Sequence, residues 1–328
     1  MAPISETFVQ EQLQVRRTRL LETIEYSSRD AALSGLLQQV DSALERLKHG
    51  SFGICEVCHD TIEADRLIAD PLVRVCLDHF TPAQARALED DLHLAARLQH
   101  KLLPPRSVHT NGWHVHHHYQ PAGIVSGDYC DLIVPEEGDG EIFFLIGDVS
   151  GKGVAASMMM TQLHGMFRSL ATAGATISRM METANRVVYE SSLAGQYATL
   201  IAGRACPAGG VELTGAGHLP ALLVGGECVK LFPADGLPLG MFCSSTYGST
   251  KLQLNEGQTL VLYTDGLSEA QDGGGTEYGE ARLMEFFKKK KAVGAAALTA
   301  ACLEDWKSFS SVASRTDDLT LMMLERTA

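Results

Sequence analysis

The sequence predicts an α+β protein in two parts: a short helical N-terminal segment stapled by a metal ion, and a larger layered region of strands and helices. Three observations predict it. Apolar residues recur at helical spacing before residue 50, Cys55, Cys58, Cys76 and His79 form two closely spaced pairs, and beyond Pro105 short β-type runs alternate with glycine turns. In that last region strands mostly neighbour strands and helices neighbour helices, which favours α+β layers over an alternating βαβ sheet. A chain of 328 residues accommodates a large core plus a smaller module. With 45% hydrophobic and 20% charged residues the composition is globular, and no apolar run approaches the roughly 20 residues that span a bilayer, so no membrane role is expected. A formal charge of −13 repels phosphate backbones and argues against nucleic acid as the main partner. The N-terminus MAPISETFVQEQLQ lacks a basic stretch followed by an apolar block, so the expected location is the cytoplasm, where cysteines stay reduced.

Two helices come first. Val9, Leu13, Leu20 and Ile24 mark one, and Leu33, Leu36, Leu37, Val40, Leu44 and Leu47 the other. Ser27-Ser28-Arg29-Asp30 between them offers turn chemistry and an antiparallel hairpin, although a single broken helix would read similarly. Cys55-x2-Cys58, a gap of 17 residues, and Cys76-x2-His79 then form a ligand set for one structural Zn²⁺ with no open coordination position. His59 is the competing nitrogen ligand, less favoured because His79 reproduces the x2 spacing. A linker helix follows from Thr81-Pro82 to Leu103, closed by Pro104-Pro105. Its seam of Leu88, Leu92, Ala95, Gln99 and Leu102 resembles a coiled coil with a polar residue in it. Either a second copy or the larger domain can cover that seam, and Gln99 is the candidate regulatory position.

Strands are expected at Trp113–Tyr119, Ile142–Ile146, Tyr197–Arg204, Ala221–Val224, Thr259–Tyr263 and Leu319–Leu324. Helices are expected at Val154–Ala171, Ile177–Ser191, Glu280–Lys290 and Ala295–Phe309. Against this frame four acidic motifs stand out, Ser126-Gly127-Asp128-Tyr129-Cys130-Asp131, Gly147-Asp148-Val149-Ser150-Gly151-Lys152-Gly153, Thr264-Asp265-Gly266 and Thr316-Asp317-Asp318, and the last three place their acids at the ends of expected strands. Carboxylate ligation without His or Cys selects hard cations, Mg²⁺ or Mn²⁺, and two such ions suit phosphate-ester hydrolysis. The Gly147 loop is not a Walker loop, since only three residues separate Gly147 from Gly151 and Gly153 follows Lys152. His114, His116 and His118 share one strand face, expected to be solvated, and Lys288 to Lys291 are expected to complement a helix C-terminus. Cys130 is expected on the same side as Asp128.

Residues 34–80, with Gly50-Ser51-Phe52-Gly53-Ile54-Cys55-Glu56-Val57-Cys58, Ile62, Arg66-Leu67 and Pro71, resemble the DksA/TraR zinc-finger family, with His79 where that family usually has cysteine. Residues 105–328 resemble the SpoIIE/RsbU branch of the PPM-type protein phosphatases, through the four acidic motifs together with Gly215-Ala216-Gly217-His218-Leu219-Pro220-Ala221 and Gly236-Leu237-Pro238-Leu239-Gly240. That resemblance implies an αββα sandwich and a metal-dependent serine/threonine phosphatase. It implies Asp148 as the ligand bridging both ions, the Val149 carbonyl, Asp265 and Asp317 as further ligands, and Asp128 as the first metal-site acid. Asp131, Asp318 and His218 are secondary candidates. The implied partner is a phosphorylated anti-anti-sigma protein in a partner-switching pathway, with the N-terminal module and linker helix regulating activity. The expected domains are residues 1–80, 81–104 and 105–328, with a homodimer through the linker helix. The alternative is a catalytically silent scaffold whose zinc finger contacts the transcription machinery.

Overall fold

The structure, a computed structural model, describes residues 6–26, 31–79, 82–135, 140–192, 195–225, 228–290, 294–310 and 317–327. Two compact units divide the chain, Met1–Asp91 and Leu92–Ala328. In the first, α1 (Glu6–Tyr26) and α2 (Ala31–Lys48) bury Val9, Leu13 and Leu20 against Val40 and Ala43. Packing of one helix on the other establishes a hairpin rather than one broken helix, and Arg17 Nε donates to Asp41 Oδ1 at 2.6 Å midway along it. The expected turn at residues 27–30 lies outside the described residues. A finger follows with one short helix, α3 (Ala64–Ala69), and a small core of Cys55, Ile62, Leu67 and Cys76.

Helix α4 (Pro82–Leu102) is the expected linker, and the division between the units falls inside it, between Asp91 and Leu92. Its C-terminal half belongs with the larger unit because Gln99 is buried there.

The larger unit contains β1 (Ser107–Thr110), β2 (Trp113–Gln120), β3 (Tyr129–Ile133), β4 (Ile142–Val149), α5 (Gly153–Thr172), α6 (Ile177–Ser191), β5 (Ala198–Ala205), β6 (Gly210–Ala216), β7 (Ala221–Gly225), β8 (Cys228–Phe232), β9 (Thr250–Gln253), β10 (Thr259–Tyr263), α7 (Asp265–Ser268), α8 (Gly279–Lys289), α9 (Ala295–Phe309) and β11 (Leu319–Arg326). Among the described residues these strands form two antiparallel sheets, ordered β1-β2-β11-β10-β7-β8 and β3-β4-β5-β6-β9. Strand β4 shows why the sheets stack. Ile142, Phe144 and Ile146 enter the core between the sheets, whereas Phe143 and Leu145 face the cluster formed with α5 and α6. In β10, Leu260 and Leu262 point between the sheets while Val261 and Tyr263 pack with α8 and α9. Strands covered on both faces become continuous apolar runs, and the layers read αββα. Gly203 is dictated by this packing: a Cβ there would lie 1.9 Å from the ring of buried Phe144 on the facing strand.

One expectation is corrected. The face of β2 carrying His114, His116 and His118 is not solvated, because α9 packs over β2 and β11. Burial pushes the His116 and His118 imidazoles below the ordinary histidine range. His114 Nδ1 lies 3.2 Å from Glu325 Oε2 and its Nε2 lies 2.9 Å from Ser107 Oγ. The covering helix and Glu325 lie some 200 residues away in sequence, beyond the reach of a local reading. Lys288 and Lys289 do occupy the last turn of α8, and Lys291 lies outside the described residues.

Candidate metal centres

The acids gather where strands from both sheets end. Asp148 is the penultimate residue of β4, Asp265 opens α7 directly after β10 and Thr264, and Asp317 precedes β11. Gly127 brings the segment before β3 against them, for a Cβ there would lie 3.0 Å from the Val149 carbonyl oxygen and 3.4 Å from Asp148 Oδ1. Asp128 is buried between Thr264 and Thr320, whose hydroxyls donate to its Oδ2 at 2.9 and 2.5 Å. Its Oδ1 is buried with no hydrogen-bond partner.

Like charges at close quarters show in the acidities. Burial, then the charges of Asp265, Asp317 and Asp318, push the Asp148 carboxyl up to about 7. Burial and then Asp317 and Glu269 push Asp265 up to about 6. Burial also drives Asp128 well above the usual carboxylate range, with Asp148 and Asp318 adding to it. Lys152 Nζ lies 3.0 Å from Asp317 Oδ2 and supplies one positive charge at the exposed rim. An orphaned buried oxygen and carboxylates that repel one another are the features a site for divalent cations requires, and the all-oxygen donor set suits Mn²⁺ or Mg²⁺.

The secondary candidates sit elsewhere or face inward. Asp131 points to the helix side of β3, where Arg168 donates to both oxygens at 2.9 and 2.7 Å and His164 lies 3.3 Å away; it anchors α5 and does not join the cluster. Asp318 accepts the Ala122 and Gly127 N–H groups at 2.7 and 2.8 Å, which spends both oxygens on fixing the segment that carries Asp128. His218 turns its ring inward between Thr199 and Tyr263. Cys130 is buried in the core between the sheets, where burial first and then Asp131 and Asp128 raise its thiol well above the ordinary range, so thiolate chemistry is suppressed.

Gln99 acquires a role its sequence position did not reveal. Its Nε2 donates to the Ser126 carbonyl at 2.7 Å, and its Oε1 accepts the Ser126 N–H at 3.1 Å. Linker helix and metal-site segment are thus joined by a two-way clamp two residues before Asp128.

In the finger, one ligand atom from each of Cys55, Cys58, Cys76 and His79 lies within 4.8 Å of the others, the arrangement a tetrahedral Zn²⁺ would close. Cys76 Sγ is 3.1 Å from His79 Nδ1, and Cys58 Sγ is 3.7 Å from Cys76 Sγ. Although burial opposes it, backbone N–H groups of Cys58, Cys76 and Val57 hold the Cys55 thiol down to about 6, which favours the thiolate a metal needs. His59 adopts a left-handed backbone conformation (φ 63°) and is not part of this group.

Known proteins match the chain in both units. Residues 138–327, more than half of the chain, match the family described as Stage II sporulation protein E (SpoIIE), and residues 50–82 match the prokaryotic dksA/traR C4-type zinc finger. Phosphoserine phosphatase RsbU of Bacillus subtilis is 26% identical over 191 residues, covering 57% of this chain and 56% of that protein. The chain spans about half or less of the length of the curated relatives it matches. Among solved structures, the RsbU and RsbW domains of Rv1364c from Mycobacterium tuberculosis align at TM-score 0.57 and 27% identity, covering 68% of this chain and 62% of that one. The SiaA-PP2C domain of Pseudomonas aeruginosa aligns at TM-score 0.65 and 18% identity over 75% of this chain and 99% of that domain, a likeness of fold. Since the αββα layers, the strand-end acids and the matched stretch all coincide in the larger unit, the chain belongs to the SpoIIE family, with a dksA/traR-type finger ahead of the family domain.

Proposed function

We propose that the chain is a metal-dependent protein phosphatase that hydrolyses phosphoserine or phosphothreonine. The observation that carries this reading is the acid cluster at the sheet ends, with the partnerless buried Asp128 Oδ1 and the Asp148 and Asp265 carboxyls raised by burial and by neighbouring acids. Asp148 would bridge two cations, Mn²⁺ or Mg²⁺, with Asp265, Asp317, Asp128 and the Val149 carbonyl completing the protein's share of ligands. When bound, such ions supply the positive charge that holds a phosphoryl group and acidifies water for in-line attack. The chain's own contribution is placement. Thr264 and Thr320 orient Asp128, Asp318 fixes the backbone on either side of residues 123–126, and Gly266 lets the chain pass the Asp318 carbonyl, which a Cβ would meet at 2.0 Å. No serine or cysteine nucleophile is needed.

The relatives' names, phosphoserine phosphatase RsbU and RsbP, favour phosphoserine as the substrate group, and the SpoIIE/RsbU resemblance implies a phosphorylated anti-anti-sigma type protein in a partner-switching pathway. The finger, holding one structural Zn²⁺, and the linker helix would regulate activity, since any displacement of α4 pulls on Ser126 through Gln99. Leu88 on the α4 seam is exposed, and pairing of this helix between two copies is the expected dimer contact. Among the described residues no helix is long and apolar enough to cross a membrane. The test is Mn²⁺-dependent phosphate release from a serine-phosphorylated anti-anti-sigma protein by the full chain. Turnover that falls at least about 100-fold in Asp148→Asn supports the proposal; equal turnover in parent and variant contradicts it.

A further inference from the structure

His218 lies on the segment that carries the chain from one sheet to the other. Strand β6 of the five-stranded sheet ends at Ala216, β7 of the six-stranded sheet begins at Ala221, and the residues between make the crossing. Gly217 starts it with φ of 66° and a bridge to Leu200, and a Cβ there would lie 2.8 Å from the Pro238 ring, so the turn admits only glycine. His218 then spends both ring nitrogens at once. Nδ1 lies 2.8 Å from the Thr199 hydroxyl in β5, and Nε2 lies 3.1 Å from the Tyr263 carbonyl at the end of β10. A carbonyl can only accept, so Nε2 carries the proton, and Nδ1 accepts from Thr199. Burial pushes the imidazole down to about 4, which keeps that single tautomer at neutral pH.

The two partners are not arbitrary points on the sheets. Thr199 is the cross-strand partner of Asp148, and its Oγ1 lies 3.4 Å from the Asp148 carbonyl oxygen. Tyr263 stands two residues before Asp265, beyond Val261, the last residue of β10 that pairs with β7. The imidazole therefore takes over where strand pairing stops. With both nitrogens engaged, His218 has no donor left for a phosphate and no lone pair left for a metal ion.

We propose that His218 is a positioning residue: its ring is the rigid spacer between β5, whose Thr199 pairs with Asp148 on β4, and the strand that leads to Asp265, and it fixes the distance between the carboxylates meant to hold two divalent cations. The proposal rests on the two-cation reading of the acid cluster. A flexible or apolar side chain of similar volume would leave the core filled but let the two strand ends drift. Partners one shell outside metal ligands typically matter by 10–100-fold in affinity, and an effect at the lower end is expected here because the coupling runs through backbone.

The test is calorimetric titration of the zinc-loaded full chain with Mn²⁺, in the parent, His218→Leu, His218→Gln and His218→Asn. Gln keeps a donor for Tyr263 and Asn keeps an acceptor for Thr199, so each restores one link. Mn²⁺ affinity about 10-fold weaker in His218→Leu, with intermediate values in Gln and Asn, supports the proposal. ¹⁵N spectra of the histidines provide a readout independent of metal and activity: the ring whose signal is lost in His218→Gln should remain an Nε2–H tautomer from pH 5 to 8 in the parent. Titration of that ring in that range overturns the clamp. Tryptophan fluorescence checks folding; if His218→Leu does not fold, the comparison passes to Gln and Asn, and parent-like affinity in both overturns the inference. A parent that binds Mn²⁺ while all folded variants bind it equally well overturns the role of His218 alone. A parent that binds no Mn²⁺ overturns the two-cation reading and this inference with it.

Discussion

The finger's Cys and His residues and the acid cluster are both candidate metal-ligand sets, yet they are built in opposite ways. Cys55, Cys58, Cys76 and His79 fall within 25 residues of sequence, around a core of four buried residues that includes two of the ligands themselves. Asp128, Asp148, Asp265 and Asp317 span 190 residues and are delivered by strand ends of two sheets, each sheet packed on both faces. In the finger the ion must hold the fold. In the larger unit the fold holds the ligands, against their mutual repulsion, before any ion arrives.

Two consequences separate the two regions, in decreasing size. Removal of zinc with a strong chelator, or Cys55→Ser, should unfold the finger, since structural zinc sites commonly carry about 10–16 kcal/mol of apparent binding energy and the finger has little else. Far-UV circular dichroism and proteolysis within residues 50–80 would report it. Fluorescence should stay unchanged, because both tryptophans, Trp113 and Trp306, lie in the larger unit. A finger that keeps its structure without zinc would break the comparison. Gln99→Leu should act on the other side of it, leaving the buried Ser126 N–H and carbonyl unpaired at a cost of about 2–3 kcal/mol in urea unfolding followed by tryptophan fluorescence. Phosphate release should fall with it as the segment before Asp128 loosens, whereas unchanged stability would mean that the clamp is replaced by solvent.

How much of this was legible in the sequence follows the same division. The finger could be read almost completely because its ligands are local and their spacing is itself the geometry. The helices α5, α6, α8 and α9 and the strands β2, β5, β7, β10 and β11 appeared within a residue or two of their expected positions, for each carries a periodic or apolar run, while β4 runs three residues past its expected end and takes in Asp148. Strands β1, β3, β6, β8 and β9 were not anticipated. β3 is short and holds Asp131, whose burial depends on Arg168, and β6 begins with Gly210 and ends at Gly215-Ala216, residues that carry little strand propensity. Which aspartate of each motif faces the cluster was legible only through resemblance. Asp128 and Asp131 differ by three positions and look alike in sequence, yet one has an orphaned oxygen at the sheet ends and the other is neutralised by an arginine on α5. The inward-facing His218 and the Gln99 clamp were hidden for the same reason: their partners lie 19 to 45 and 27 residues away and become neighbours only in the folded sheets.

The central claim, that the acids form a cation site held under repulsion by the fold, is tested most directly by a thermal comparison of parent and Asp148→Asn. Tryptophan fluorescence would follow the melt of the zinc-loaded chain at pH 5 and pH 8, with and without Mn²⁺. Folding raises the Asp148 carboxyl from its usual value near 3.8 to about 7, so its ionisation favours the folded state least above pH 7, and the penalty fades as pH falls toward 5. Without Mn²⁺, Asp148→Asn should therefore be more stable than the parent at pH 8, by on the order of 1 kcal/mol or about 2–4 °C in Tm, and the gap should shrink at pH 5. With Mn²⁺ at pH 8 the order should reverse, because only the parent retains the carboxylate proposed to hold the cations. Equal melting of both proteins at both pH values, with the same response to Mn²⁺, would contradict the account.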